Sequence, residues 1–380
     1  MGKTLADPAL KQARGTPKYS ADPSKTLGEK GAKLHVAEYW FNDYQKAEPK
    51  PAAVPHLWKW SGIEALMYES RDLIPIKEAE RRGLFLCNPG LSGKPYMTST
   101  LLSDLQLLSP GESAPTHRHT SSSSRLHIKG QGAFTTVEGE KCSMDPGDVV
   151  INPSWQWHDH GNDGSGDVIY WNVLDVPLVE GIDNIFYDFL YGKQKDVKSD
   201  VQTIKRPLNF SDDCYCAPGV VPNFVERANK PYSSKLVYKW EETQKALQRL
   251  RSHKGSAYDG IMVEYVNPQT GQSVLPTMSF HMQLLLAGQQ TAEHRQTSSS
   301  VYCVMEGEGY TEVDGVRLEW GQHDFFAIPH WKWHRHVNLR GDRDAVLFSV
   351  SDFPTIEKLG LYREQGRTAA GEIVTVAVQP

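Results

Sequence analysis

Short segments that alternate apolar and polar residues, or are wholly apolar, recur along most of the chain. "AFTTVEG" and "YTEVDG" alternate and end in turn glycines, which is the period-two pattern of a β-strand. "VVI" at 149–151 and "FFAI" at 325–328 are apolar runs bounded by turn residues, as expected for buried strands. Helical periodicity is confined to segments that begin at Ile63 and Glu241. The pattern predicts an all-β jelly-roll architecture with a few peripheral helices.

The same motifs occur twice in the same order. His294 lies 177 residues after His117, and flanking segments repeat at similar spacing. The matching pairs are "HLWKWSGIEAL" with "LVYKWEETQKAL", "LQLL" with "MQLL", "KGQGAFTTVEGE" with "EGEGYTEVDGV", and "PSWQWHDHGN" with "PHWKWHRHVN". Agreement over some 100 residues predicts two homologous barrels in tandem.

These repeats set the predicted domain bounds. The bounds are an N-terminal arm at 1–54, a first barrel domain that binds metal at 55–200, an interdomain connection at 201–235, a second barrel domain with a degenerate site at 236–354, and a C-terminal tail at 355–380. The first 54 residues are polar, rich in lysine and punctuated by proline, without a hydrophobic period. We expect them to form an arm over a neighbouring surface or to be partly disordered.

Composition narrows the class of protein. The chain has 380 residues, a formal charge of -5 and no Lys/Arg-rich run, so we expect neither nucleic acid nor an anionic membrane as a partner. No apolar stretch approaches the roughly 20 residues that span a bilayer. The N-terminus lacks the apolar core of a signal peptide, and five cysteines are ordinary for a reducing compartment. We therefore expect a cytoplasmic enzyme.

The first repeat carries three histidines with metal-ligand spacing. His117 and His119 are two residues apart, so a strand directs both side chains to one face. His158 follows the turn at Gly147 and can lie on an adjacent strand. Three neutral imidazoles suit Fe(II), Zn(II), Cu(II) or Mn(II) and leave coordination positions open. The alternative is that the histidines are core or surface groups satisfied by hydrogen bonds, but their framing by glycines, proline and asparagine favours metal.

Two further features complete this reading. Ser123 stands where many one-metal sites of this barrel type have a glutamate, so the predicted centre contains histidines alone. His160 should face the same way as His158 and could act as an acid or a base beside the metal, or make a structural hydrogen bond.

The second repeat has lost a ligand. Gln296 replaces the middle histidine, Ser300 occupies the glutamate position, and His294 and His334 alone make a weak site. We predict a structural role for this barrel rather than a second catalytic centre, with strands that could supply an oligomer interface.

The spacing Gly-x5-His-x-His, followed by Gly-x5-Pro-x4-His-x3-Asn, resembles the cupin superfamily. The stretches "PHLWKW", "LQLLSPGESAPTHRHT", "GDVVINPSWQWHDHGN" and "LDVPLV" look like the bicupin ring-cleaving dioxygenases, which act on gentisate, salicylate or 1-hydroxy-2-naphthoate. The resemblance covers roughly residues 55–355. It implies Fe(II) at the three histidines, O2 as co-substrate, a homotetramer and a role in aromatic degradation. In this reaction O2 is inserted between the ring carbons that carry the carboxyl and hydroxyl groups.

The resemblance also implies residues around the substrate. Arg125, six residues after His119 and expected on the same strand face, matches an arginine near the substrate carboxylate, to which a guanidinium can donate two parallel hydrogen bonds. Arg81 or Arg82 matches a second arginine, and Gln106 matches a pocket glutamine. Each could instead form a surface salt bridge or pair with a buried strand neighbour.

Two departures from the family pattern affect the expected substrate. Gentisate-type members usually read "TLWAGLQ" before the histidines, whereas this chain reads "TLLSDLQ", so Leu102 replaces an indole and could enlarge the pocket. Where they read "WLDGLD", Asn172 replaces the aspartate suited to the second hydroxyl of gentisate. We expect a salicylate-like ring or 1-hydroxy-2-naphthoate, with gentisate as the alternative.

Two alternatives come from other classes of protein. A cupin with Zn(II) or Mn(II) in the same triad could be an isomerase, lyase or decarboxylase that does not use oxygen. A bicupin could also bind or store a ligand without catalysis, although storage cupins commonly lose the ligands that the first repeat retains.

Overall fold

The computed structural model describes residues 23–37, 46–79, 81–190, 201–225 and 230–378. The strands of the first half are β1 His56–Trp58, β2 Gly83–Phe85, β3 Leu102–Leu108, β4 Ser113–His119, β5 Ser123–Lys129, β6 Ala133–Val137, β7 Glu140–Met144, β8 Val149–Asn152, β9 His158–Asn162, β10 Val168–Leu174 and β11 Tyr187–Phe189. Those of the second half are β12 Val237–Tyr238, β13 Ile261–Glu264, β14 Ser279–Leu285, β15 His294–Gln296, β16 Ser300–Glu306, β17 Gly309–Val313, β18 Val316–Trp320, β19 Phe325–Ile328, β20 His334–Asn338, β21 Ala345–Ser351, β22 Arg363–Arg367 and β23 Ile373–Val378.

Helices are few and short among the described residues. They are α1 Pro23–Lys33, α2 Trp60–Leu73, α3 Ile76–Ala79, α4 Val176–Gly181, α5 Phe210–Cys214, α6 Trp240–Leu250 and α7 Phe353–Lys358. The two predicted helical segments coincide with α2 and α6. Helix α1 lies in the N-terminal segment, where the sequence predicted no periodic element; residues 1–22 and 38–45 of the predicted arm lie outside the described residues. None of the described helices is long and apolar enough to cross a membrane.

Each repeat folds into two facing antiparallel sheets, as the jelly-roll prediction requires. The sheets of the first repeat have the strand orders β12-β8-β5-β10-β3-β2 and β11-β4-β9-β6-β7. Those of the second have the orders β1-β19-β16-β21-β14-β13 and β18-β17-β20-β15-β22-β23. The all-β double-barrel prediction is confirmed.

The first strand of each repeat lies in the sheet of the other repeat. Strand β1 pairs with β19, and β12 pairs with β8. The helix after each strand is fixed to the same foreign barrel: Asp324 accepts from the backbone N–H of Trp60 and from Lys59, and Asp148 makes the same contacts with Trp240 and Lys239. Residues 51–380 accordingly form one unit, and the predicted bounds at 55 and 236 do not coincide with sheet boundaries.

Two strands within the segment predicted as a C-terminal tail, 355–380, instead extend the second barrel. Strand β22 pairs with β15, which carries His294, and β23 pairs with β22. The sequence concealed this because β23 is an edge strand whose apolar residues are largely solvent-exposed, so it has no alternating buried face.

The main core lies between the two barrels. The outward face of the β12–β2 sheet packs on the second barrel, where the Trp171 ring lies 5.1 Å from Phe325 and 6.1 Å from Phe348. Because side chains alternate along a strand, Tyr170 and Asn172 on either side of Trp171 point into the first barrel. The apolar contact thus rests on the outer face, which leaves the interior of the first barrel available for polar groups.

Candidate metal centre

The three predicted ligands meet on neighbouring strands inside the first barrel. His117 and His119 lie on β4, and His158 on β9 is the direct cross-strand neighbour of His117. Arg118 between the first two points outward, where its guanidinium lies over Trp155 and pairs with Asp188 at 2.9 Å. The alternation predicted from the His-x-His spacing therefore holds.

Each of the three imidazoles is oriented by a hydrogen bond to the backbone carbonyl of a residue two positions away in the sequence. The Nδ1 atoms of His117, His119 and His158 lie 2.7, 2.7 and 2.9 Å from the carbonyl oxygens of Pro115, Ser121 and Gln156. A carbonyl oxygen only accepts, so each Nδ1 carries the proton and each Nε2 keeps its lone pair. These are the contacts that orient histidine ligands in metal sites.

Burial keeps the imidazoles neutral. It lowers the pKa of His119 to about 4 and the pKa of His117 and His158 well below the usual value, since a charged ring would lose its hydration. One ligand atom from each histidine lies within 4.8 Å of the others. Three neutral donors that converge in this way suit a divalent transition metal such as iron(II).

A strained turn carries the third histidine. Trp155, between β8 and β9, has a φ of 62°, a conformation that costs a bulky residue energy. The turn lets the Trp155 N–H donate to the carbonyl of His119 at 2.8 Å, which joins the hairpin to the His-x-His strand. The second barrel repeats it: Trp331 has a φ of 59° and donates to the Gln296 carbonyl. The turn is therefore a feature of both barrels and is present even where the three-histidine cluster is not.

His160 lies in the same interior, two residues after His158 as predicted. Its ring centroid is 5.9 Å from that of His117 and 5.7 Å from that of Tyr170. Neither ring nitrogen has a hydrogen-bond partner among the described residues. The structural hydrogen bond considered from the sequence is therefore not found there.

The second barrel explains why His160 lacks a partner. The equivalent His336 bonds through Nδ1 to the Thr311 hydroxyl at 2.9 Å. In the first barrel the corresponding Thr135 hydroxyl instead accepts from Arg125 at 2.6 Å. The arginine thus takes the partner that this histidine has in the other repeat.

The structure separates the two candidate arginines. Arg81 reaches the centre, where Nη1 lies 3.2 Å from His117 Nε2 and Nη2 donates to the Tyr187 hydroxyl. Arg82 points away, and its buried guanidinium forms an ion pair with the partly exposed Glu112. Of the two positions left open by the sequence, Arg81 is the one at the histidines.

Tyr187 was missed by sequence reasoning. Its ring stacks on that of His117, with the centroids 5.3 Å apart, and its centroid lies 6.1 Å from that of the His119 ring. These contacts arise because β11 pairs with β4. It falls in "IDNIFYDFLYG", a segment with neither alternation nor motif. Only its aromatic content could have drawn attention to it.

Arg125 lies on β5, not on the strand face of His119 as predicted. The chain turns between β4 and β5, so Arg125 enters the interior from the opposite sheet. Its Nε donates to Asn172 Oδ1 at 3.0 Å, and its guanidinium lies over the Tyr170 ring at 4.6 Å. It is still directed into the barrel.

A row of polar side chains crosses the β12–β2 sheet on the inside of the first barrel. Asn172 pairs with Arg125 on one side and with Asp104 on the other. Asp104 Oδ2 accepts from Asn172 at 3.0 Å and from Gln106 at 2.7 Å, and Gln106 Oε1 accepts from the Tyr170 hydroxyl. Gln106 and Asn172, both predicted, are thus joined by Asp104, which the sequence analysis did not single out.

Leu102 also lies on the interior face of β3, two residues before Asp104. It is buried and pairs with Leu174 and Tyr96 at the end of the sheet. Its side chain is smaller than the indole of the family pattern, and the wider pocket stays a prediction.

The equivalent position in the second barrel holds no triad among the described residues. His294 Nδ1 lies 3.0 Å from Glu364 on β22, and its ring stacks on Tyr258 at 5.2 Å. Gln296 Oε1 accepts from the Tyr362 hydroxyl. The chain's own residues therefore surround the remaining histidines.

Two jelly-roll barrels with a three-histidine cluster in one define the class of bicupin proteins. A family model described as Cupin domain matches residues 104–177 and 281–351, once in each barrel. The chain belongs to the bicupin family of aromatic ring-cleaving 1,2-dioxygenases, which are oxidoreductases.

Three similar proteins support this membership. A 5-aminosalicylate 1,2-dioxygenase from Comamonas sp is 35% identical over 357 residues, which cover 91% of this chain and 91% of that protein. Gentisate 1,2 dioxygenase 1 from Aquipseudomonas alcaligenes is 38% identical over 335 residues, 87% of this chain and 92% of that protein. The crystal structure of a salicylate 1,2-dioxygenase from Pseudaminobacter salicylatoxidans superposes with a TM-score of 0.83 at 30% identity, covering 92% of this chain and 99% of the other. A non-oxidative or ligand-binding bicupin is thus not the class to which this chain belongs.

Proposed function

We propose that the protein is an iron(II)-dependent dioxygenase that opens the ring of an ortho-hydroxy aromatic carboxylate between the carboxyl-bearing and hydroxyl-bearing carbons. The observation that carries the proposal is the convergence of three Nε2 lone pairs in a buried interior that also contains two arginines. His117, His119 and His158 would hold the metal. When bound, iron(II) supplies the redox chemistry that lets O2 react with an aromatic ring.

The arginines bind the substrate carboxylate. Arg81 lies at the histidines, so a carboxylate near the metal comes within its reach. Nε and Nη1 of Arg125 are held by Asn172 and Thr135, while no described residue accepts from Nη2. That N–H is directed by its two neighbours and is available to a carboxylate oxygen.

His160 accepts a hydrogen bond from the ring hydroxyl of the substrate. Its two ring nitrogens have no partner among the described residues, and a buried polar group without one needs an explanation. A hydroxyl that donates to one of these nitrogens would satisfy it. The buried interior excludes water that would compete for this hydrogen bond.

The substrate is a salicylate-like ring, with 1-hydroxy-2-naphthoate next and gentisate as the alternative. Leu102 leaves room that an indole would fill, and Asn172 replaces the aspartate of the gentisate pattern. The similar proteins include dioxygenases named for 5-aminosalicylate, gentisate and salicylate, all with adjacent carboxyl and hydroxyl groups.

Oxygen uptake by iron-reconstituted protein tests the proposal. Salicylate, gentisate and 1-hydroxy-2-naphthoate are supplied separately, and the ring-opened product is quantified by mass spectrometry. We expect uptake with at least one ring, matched one-to-one by product, and none in zinc-loaded protein, because zinc has no redox chemistry. Iron-loaded protein that consumes no oxygen with any of the three would contradict the proposal.

A further inference from the structure

The interior of the first barrel contains a carboxylate that the proposed reaction does not use. Asp104 is buried, and Oδ2 accepts from Gln106 and Asn172. No described residue donates to Oδ1. Desolvation raises the pKa of Asp104, so the carboxylate lacks much of the solvation it would have in water. A further hydrogen-bond donor would compensate for part of that loss.

The barrel fold does not require this carboxylate. In the second barrel, Ser349 pairs with Tyr302 and His281 at the register where Asn172 pairs with Arg125 and Asp104. The sheet thus forms with His281 in place of the acid. The polar row of Arg125, Asn172 and Asp104 occurs only in the barrel with the three histidines.

The position of Asp104 suits contact with a bound ring. It lies on the interior face of β3, in register with Asn172, which also contacts Arg125. Leu102 precedes it on the same face, where the pattern "TLWAGLQ" has tryptophan; the position of Asp104 itself is glycine in that pattern. A smaller side chain next to an added carboxylate leaves room for a polar ring substituent.

We propose that Asp104 is a specificity residue that selects, among salicylate-like rings, those with a hydrogen-bond donor, an amino or hydroxyl group, on the ring edge opposite the metal-binding groups. Asp104 lies beside Asn172 and supplies the carboxylate that position 172 lacks, so this role adds gentisate to the favoured rings. The proposal rests on the proposed function, which places the substrate carboxylate and hydroxyl at the histidines. That orientation directs ring positions 4 and 5 away from the metal. A carboxylate only accepts hydrogen bonds, so Asp104 favours a donor there and disfavours an acceptor such as nitro.

Binding to zinc-loaded protein tests the proposal without turnover. Dissociation constants for salicylate, 5-aminosalicylate, gentisate and 5-nitrosalicylate are measured by calorimetry for the wild type, Asp104→Asn and Asp104→Gly. We expect the wild type to bind the amino and hydroxy compounds about tenfold or more tightly than the nitro compound, since a hydrogen bond to a charged group has this effect. In both variants this preference should fall to about threefold or less.

Matched controls separate a lost carboxylate from a damaged fold. Asp352→Asn changes an equally buried aspartate of the second repeat and should leave the preference at its wild-type value. Thermal unfolding shows whether each variant folds, and Asp104→Gly restores the residue of the family pattern if Asp104→Asn does not fold.

The outcomes distinguish this proposal from the proposed function. An unchanged amino-to-nitro preference in folded Asp104 variants overturns the specificity role, whether or not the enzyme cleaves rings. Loss of the preference, with oxygen uptake absent in iron-loaded protein, supports the binding role and contradicts the dioxygenase proposal. Failure of the wild type to bind any of the four compounds overturns both.

Discussion

At the residue scale, the two repeats act as an internal comparison. His119 and Gln296 are equivalent, as are Arg125 and Tyr302, yet the left-handed tryptophan turn is present in both barrels. At these two positions the side chains directed into the barrels differ, whereas the tryptophan turn that joins the hairpin to the neighbouring strand is shared. The comparison assigns Arg125 to the site and Trp155 to the fold.

The two adjacent arginines should behave differently when replaced. Arg81→Leu removes a guanidinium from the histidines and should raise the KM by about tenfold to a hundredfold, since a charged hydrogen bond is lost. It should change the melting temperature little. Steady-state kinetics and calorimetry measure both quantities.

Arg82→Leu is the matched variant. It leaves Glu112 without its buried partner and should lower the free energy of unfolding by roughly 2 kcal/mol or more while the KM stays close to wild type. The assignment of Arg81 to the site would be wrong if the two variants exchanged these effects.

Sequence patterns located the three histidines but not everything around them. Spacing and alternation placed His117, His119 and His158 together, because strand periodicity is a local property. Choosing between Arg81 and Arg82 depended on how α3 ends before β2, and Tyr187 depended on β11 pairing with β4. Such contacts are made between distant segments and leave no local signal.

At the element scale, each repeat exchanges its first strand and helix with the other. Lys239 is bound to Asp148, and Lys59 to Asp324, both at 2.7 Å. Gly147 packs against the exchanged helix: a Cβ there would lie 2.5 Å from Trp240 Cγ, and its φ is 97°. The exchange makes the barrels interdependent, although the sequence predicted two separate domains.

Replacing either lysine that anchors an exchanged helix should lower the free energy of unfolding, by an amount that depends on how buried the ion pair is. The Lys239 side chain is 20% exposed and that of Lys59 is 56% exposed, so solvent weakens the second ion pair more. Lys239→Met should lower the free energy of unfolding by roughly 2 kcal/mol, and Lys59→Met by about 1 kcal/mol or less. Urea unfolding gives both values. Equal losses would contradict the role assigned to burial.

At the scale of the whole molecule, two buried carboxylates join the repeats symmetrically. Asp175 accepts from the Ser122 N–H of its own repeat and from the Thr277 hydroxyl of the other. Asp352 makes the corresponding contacts with Ser299 and Thr100. Desolvation raises the pKa of each to about 6 from the usual 3.8.

These pKa shifts predict the pH dependence of stability. Between pH 3.8 and about 6 the unfolded carboxyl has lost its proton while the folded one keeps it, so the free energy of unfolding falls as pH rises through this window. Asp352→Asn should shrink that fall by about 2 kcal/mol. Urea unfolding of the wild type and the variant at pH 4 and pH 7 measures this fall in the free energy of unfolding.

An exposed aspartate provides the control for this prediction. Asp213→Asn removes a carboxylate that is exposed on α5, so urea unfolding of this variant at pH 4 and pH 7 gives the effect of an aspartate-to-asparagine change at the surface. A profile for Asp352→Asn that matched the wild type would show that Asp352 does not keep its proton on folding.

Metal content most directly tests the claim that the first barrel alone holds the catalytic metal. It is measured by plasma mass spectrometry in wild type, His119→Ala and Gln296→Ala, which change equivalent positions of the two barrels, and oxygen uptake is recorded on the same samples. We predict about one metal per wild-type chain, its loss together with uptake in His119→Ala, and retention of both in Gln296→Ala. Full metal content and uptake in folded His119→Ala would contradict the account.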